Sequence, residues 1–65
     1  MRIRVNGDLR DLTATSLEAA LGELGYRNSI VATAVNGEFV PASARSSAVL
    51  SEDDSLEVLA PMQGG

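Results

Sequence analysis

Residues 15–25 read TSLEAALGELG, and this stretch decides which kind of fold the chain can make. Leu17, Ala20, Leu21 and Leu24 stand at i, i+3, i+4 and i+7, one apolar stripe along a helix. Thr15 and Glu18 have the three-residue spacing of a capping box, in which a hydroxyl and a carboxylate satisfy free amides at the helix start. Gly25 falls where a left-handed residue ends a helix. Gly22 inside the helix costs about 1 kcal/mol relative to alanine. A close approach of the helix to a sheet is the expected reason for it. A helix this short, apolar on one side, is not stable by itself and must lie on a second layer.

The flanking segments supply that layer. Met1, Ile3 and Val5 alternate with Arg2, Arg4 and Asn6, the period of a strand with one face inward. Asn6-Gly7 then suits a type I′ turn, because both residues tolerate positive φ. The return strand is DLRDLTA, residues 8–14, where Leu9 and Leu12 are three apart and predict a bulge near Arg10-Asp11. After the helix, YRNS is a loop. Residues 30–35, IVATAV, read as a strand buried on most sides. A second Asn-Gly pair, Asn36-Gly37, turns it into EFV, and Pro41 ends that strand because it cannot donate to a ladder. ASARSS is irregular or a short helical turn. Glu52-Asp53-Asp54 form a turn, solvated rather than metal-binding, since their spacing matches no calcium loop. The last strand is expected over 55–60, with Leu56 and Val58 facing the core. The order hairpin, helix, hairpin, strand predicts an α+β fold: a mixed sheet of four to five strands on one main helix.

Composition narrows the function. The chain has 65 residues, a single domain at most. Its net charge is −4, with five arginines scattered along the sequence and no lysine. Nucleic acid and anionic membranes both require clustered basic residues, so neither is an expected partner. No apolar run approaches the roughly 20 residues of a membrane span, and residues 1–7, MRIRVNG, carry no apolar signal-peptide core. Cysteine is absent, which suits a reducing cytoplasm. Without Cys or His the chain lacks a thiolate nucleophile, a near-neutral acid or base, and the ligands of a zinc site. It is expected not to be an enzyme, and no metal site is expected.

The final stretch, LAPMQGG, residues 59–65, gives the chemistry another place to reside. Strand periodicity stops at Ala60, and Pro61 removes a donor and fixes φ. The expected division is a folded domain over 1–60 and a flexible, extended C-terminal tail over 61–65. Fully extended, Met62 to Gly65 would reach roughly 13 Å, enough to carry a carboxylate into a neighbour's pocket. Gly64 and Gly65 lack Cβ atoms, fit a narrow channel and leave the carboxylate unhindered. A carboxylate is a poor electrophile and must be activated, commonly by adenylation with ATP.

With these residues in view, the chain resembles the ubiquitin-like β-grasp proteins, and within them the ThiS family, the sulfur carriers of thiamine biosynthesis. The matching pieces are VNG near the start, SLEAALGELG, VATAVNGEFVP and LSEDDSLEVLAPMQGG. The resemblance covers the whole chain. It departs in SEDDSLEV, where the family more often has a glycine in the turn. The resemblance implies that an activating enzyme similar to the ubiquitin activators adenylates Gly65, using ATP, with no cofactor held stably by the carrier. Sulfur from a persulfide donor then leaves a thiocarboxylate, which a thiazole synthase consumes. Carriers for molybdopterin synthase or cysteine synthesis share the fold and tail. So does a ubiquitin-like modifier, although the absence of lysine rules out chains of this protein on itself.

The residues expected to meet those partners are Phe39, Leu59, Pro61, Met62, Gln63 and Gly64, with Gly65 as the reactive terminus. If Leu56 and Val58 face the core, alternation puts Leu59 on the opposite side. Phe39 is expected in the same patch. Arg2 and Arg4 alternate outward on the first strand.

Overall fold

The computed structural model describes residues 1–60. Asn6 and Asn36 take positive φ, 52° and 51°, and the glycine after each follows at 90° and 85°. This is a type I′ backbone, whose twist matches the strands it joins. Strand β1 (Arg2–Val5) therefore folds back on β2 (Asp8–Asp11), and β3 (Ala32–Val35) folds back on β4 (Glu38–Val40). The last strand, β5 (Ser55–Leu59), enters between the two hairpins, parallel to β1 and antiparallel to β3. The sheet order is β2-β1-β5-β3-β4, with the single helix α1 (Leu17–Glu23) on one face. A mixed five-stranded sheet grasping one helix is the expected ubiquitin-like β-grasp.

The core lies between α1 and the sheet. Ile3 and Val5 from β1, Leu56 and Val58 from β5, and Leu17, Ala20 and Leu21 from α1 are buried there with Leu12 and Leu50. Each fully buried Leu, Ile or Val contributes about 1.5–3 kcal/mol relative to exposure. Leu50 is held by the segment after the 3-10 turn Ala42–Ala44: its amide donates to Thr15 O at 2.7 Å, and Leu17 N donates to Ala48 O at 2.9 Å. These bonds, with a bridge between Ser16 and Val49, tie the helix start to the connection before β5.

Four local expectations are corrected. The helix cap is Ser16, whose extended backbone (φ −98°, ψ 154°) lets its Oγ accept from Ala19 N at 3.1 Å; the Thr15–Glu18 box does not form. Glu18 N donates instead to Arg45 O at 3.2 Å. No bulge interrupts β2. Its register with β1 is continuous from Val5↔Asp8 to Arg2↔Asp11, and Met1 and Leu12 exchange both backbone bonds at 2.8 Å beyond it. Leu12 therefore shares the inward face of Ile3, while Leu9 lies opposite on the outer face. Strand β3 is not buried on most sides. Only Thr33 is buried in it, and Ile30 before it is 83% exposed, because α1 covers one face of the sheet and nothing described here covers the other. Gly22 does not admit the sheet. A Cβ there would come within 3.1 Å of the Arg27 guanidinium, so the missing side chain makes room for an arginine. The expected stop at Gly25 does form. Gly25 has φ 91°, and its amide and that of Tyr26 close back on Gly22 O and Leu21 O, the paired bonds of a Schellman ending.

Candidate functional site

The register of β3, β4 and β5 determines what the uncovered sheet face presents. Thr33 pairs with both Val58 and Val40, and this row points toward α1. The neighbouring rows must point away. They are Ala34 paired with Phe39 and Glu57, and Ala32 paired with Leu59. Phe39 is 68% exposed and Leu59 67% exposed, so both side chains stand on the open face, separated by two small alanines. The sequence expectation for these two residues is met in placement. Large apolar side chains grouped on an exposed face, over small residues, make this a candidate interaction surface.

The patch extends further than the sequence reading. Ile30, Val31, Ala32, Leu59 and Ala60 line a shallow apolar groove at the end of β5. Its run of apolar neighbours suggests a buried strand for Ile30, whereas counting back by two from Ala32 places it on the open face, where it is exposed. On the other half of the sheet the same face carries Leu9, Arg2 and Arg4 by the register of β1 and β2. Arg2 Nε meets Asp11 Oδ1 at 3.3 Å, an exposed pair worth little by itself. The open face is thus apolar at the β3–β4 edge and charged at the β1–β2 edge, with Glu57 between.

The strand that leads to the C-terminus is held from both sides by the two turn asparagines. Asn6 Nδ2 donates to Val58 O at 3.1 Å, and Val58 N donates to Asn6 Oδ1 at 2.8 Å. This side-chain amide extends the β1–β5 ladder past the end of β1. At the start of β5, Ser55 N donates to Asn36 Oδ1 at 3.0 Å, and Asn36 Nδ2 donates to Asp54 Oδ1 at 3.0 Å. Both Asn-Gly turns therefore do more than reverse the chain: their side chains anchor β5. The acidic turn is occupied in the same structural way. Glu52 Oε1 accepts from Arg2 N, and Asp54 Oδ2 accepts from Ser51 N. Among the described residues no group of acidic side chains is arranged to hold a metal, and no helix is long and apolar enough to cross a membrane.

One carboxylate is perturbed. Glu23 accepts from both the Thr13 hydroxyl and the Thr13 amide, and these bonds hold its pKa below the usual glutamate value. It fastens the end of α1 to the segment after β2. Pro61, Met62, Gln63 and Gly64, expected to meet partners, and Gly65, the expected reactive terminus, lie outside the described residues.

Comparison with known proteins fits this arrangement. The family model described as "ThiS family" matches residues 3–65. The chain belongs to the ThiS family. A crystal structure of a thiamine biosynthesis protein (ThiS) from Geobacter metallireducens superposes with a TM-score of 0.84 at 25% identity, over the whole of both chains. A solution structure of a thiamine biosynthesis protein from the same organism superposes with a TM-score of 0.80 at 25% identity, over all of this chain and 88% of that one. A thiazole synthase from Paramagnetospirillum magneticum is 38% identical over 66 residues, covering all of this ThiS-family chain and 20% of that protein. The chain thus spans about one fifth of the length of that curated relative.

Proposed function

We propose that this ThiS-family chain is a sulfur carrier of thiamine biosynthesis, a protein co-substrate rather than a catalyst. The observation that carries the reading is the family match running through residue 65, so that it includes the terminal Gly-Gly. The 38% identity to one fifth of a thiazole synthase adds the partner: a carrier unit within the length of that enzyme's chain argues that carrier and synthase work in contact.

In this reading the domain over 1–60 presents a tail over 61–65, and the reaction takes place at the tail's end. The Gly65 carboxylate attacks the α-phosphorus of ATP in an activating enzyme, and pyrophosphate leaves. The terminal sulfur of a persulfide attacks the acyl adenylate, and AMP leaves. Cleavage of the remaining S–S bond by a thiol frees the thiocarboxylate, which a thiazole synthase then consumes. The chain's own residues recognise rather than react. Phe39 and Leu59 supply the apolar contact, Asn6 fixes the peptide of Val58 just before the tail, and Pro61, Met62 and Gln63 continue the contact to Gly64 and Gly65. A cytoplasmic setting, where ATP and persulfide donors are available, follows from the same chemistry.

The reading requires Gly65 to be the terminus of the mature chain, which the intact mass of the natural protein checks. Incubation with an activating enzyme, ATP and a persulfide donor should exchange one terminal oxygen for sulfur. Transfer from that product to a thiazole synthase should restore the original mass. Thiocarboxylate formation without turnover by a thiazole synthase would reassign the carrier to another pathway.

A further inference from the structure

A second feature lies on the α1 side of the sheet, away from Phe39 and Leu59. A cavity of about 510 Å³ opens between α1, the loop after it and the 3-10 turn. Arg27 and Arg45 both line it, with the hydroxyl residues Ser16, Ser29 and Ser46. The two arginines reach it by different means. Arg45 is half-buried and its guanidinium is fixed: Nε donates to Thr33 Oγ1 at 3.1 Å and Nη2 to Val31 O at 2.7 Å. Both acceptors are neutral, and the remaining N–H groups of Arg45 have no acceptor among the described residues. Arg27 lies over Gly22, where an added Cβ would come within 3.1 Å of its Nη2.

The two arginine charges are not balanced by ion pairs among the described residues. Among the described residues the one ion pair is Arg2–Asp11, on the far side of the sheet. Neither cavity arginine has a carboxylate of the described residues within salt-bridge distance, in a chain whose net charge is −4. Glu18 is the single acidic residue on the lining, so the wall carries two positive charges against one negative. Two guanidinium groups, one of them rigid, with hydroxyl donors around a cavity, match an anion with several oxygens. Arginine binds phosphate through parallel charge-assisted bonds, and serine hydroxyls complete its shell.

We propose that this cavity binds a phosphate group, held between Arg27 and Arg45, either as inorganic phosphate or as the monoester of a small molecule. It lies apart from the open face, so the carrier can fill it while docked through Phe39 and Leu59. The proposal does not depend on the sulfur-carrier reading.

Amide NMR of the full chain, titrated with inorganic phosphate against chloride at constant ionic strength, tests it. The expected result is saturable shifts confined to residues 16–22, 26–29 and 42–46, with the amides of Phe39 and Leu59 unmoved. A parallel titration with glycerol phosphate separates the sources: tighter binding assigns a monoester, weaker binding assigns free phosphate. Arg27→Gln should weaken binding about tenfold or more, the loss expected for hydrogen bonds to a charged group. Arg27 is exposed and makes no other bond in the described structure, so this variant keeps the fold. Shifts that rise without saturating, that spread evenly over the surface, or that are unchanged in Arg27→Gln would overturn the site.

Discussion

Phe39 and Leu59 are about two-thirds exposed, and their neighbours Ala32 and Ala34 are small. Residues so exposed contribute little to stability, so truncating either to alanine should change the unfolding free energy by less than about 0.5 kcal/mol. At an interface centre the same truncation removes a buried anchor. Phe39→Ala and Leu59→Ala should each weaken binding to the activating enzyme by about tenfold in a titration; equal affinity would remove them from the docking face. Asn6 has the opposite character. Its amide makes two bonds to the Val58 backbone, and its φ is 52°. Asn6→Ala loses both bonds and strains the turn, at an expected cost of about 2–3 kcal/mol in denaturant unfolding. Asn6→Gly keeps the turn and should lose only the bonds, which separates the two contributions. The Glu23 pKa is lowered by its bonds from Thr13, so the stability it contributes is fully present above the ordinary glutamate pKa and is lost as pH falls through the lower folded-state value. Glu23→Gln should flatten the acid limb of the stability curve below about pH 4.5; an unchanged limb would mean that the Thr13 contact does not persist in solution.

At the scale of elements, α1 spans only Leu17–Glu23 and depends on its ends. Ser16→Ala removes the hydroxyl that accepts from Ala19 N and should cost about 1 kcal/mol, whereas Thr15→Ala, which makes no cap, should cost a few tenths. Which of two adjacent hydroxyl residues caps a helix is settled by where the chain turns. Here the Ser16–Val49 bridge sets that point, a contact 33 positions apart that no local spacing reveals. Both hairpins were legible because Asn-Gly has few alternatives to a tight turn. The course of β2 was not, because a bulge follows from the Leu9–Leu12 spacing only if both leucines face inward, and Leu9 faces outward. An exposed leucine and a buried one look alike in sequence, and only the register to β1 shows that Leu9 opposes Arg4. Strand β3 misled for a related reason. Its run of small apolar residues fits burial on two sides, yet the sheet has a helix on one side only, and the other side is the candidate docking face.

At the scale of the whole molecule, every element serves β5. The strand lies at the centre of the sheet, paired with β1 and β3, anchored by an asparagine from each turn, and it ends one residue short of the last described position. A strand held at the middle of the sheet gives the segment that follows it a fixed point of departure. The open face beside it and the ThiS-family match through residue 65 support the proposal that Gly65 is the reactive end. The expectation of a reactive end rests on Gly64-Gly65 and the strand before them and falls outside the described residues, while the groove at Ile30 needed the three-dimensional register. Removing Gly65 should leave unfolding unchanged and abolish sulfur loading. The most direct measurement is the intact mass of the carrier after incubation with a competent activating enzyme, ATP and a persulfide donor. Exchange of a single oxygen for sulfur, located at Gly65 by fragmentation, is the predicted result; an unchanged mass, or sulfur placed anywhere else in the chain, would contradict it.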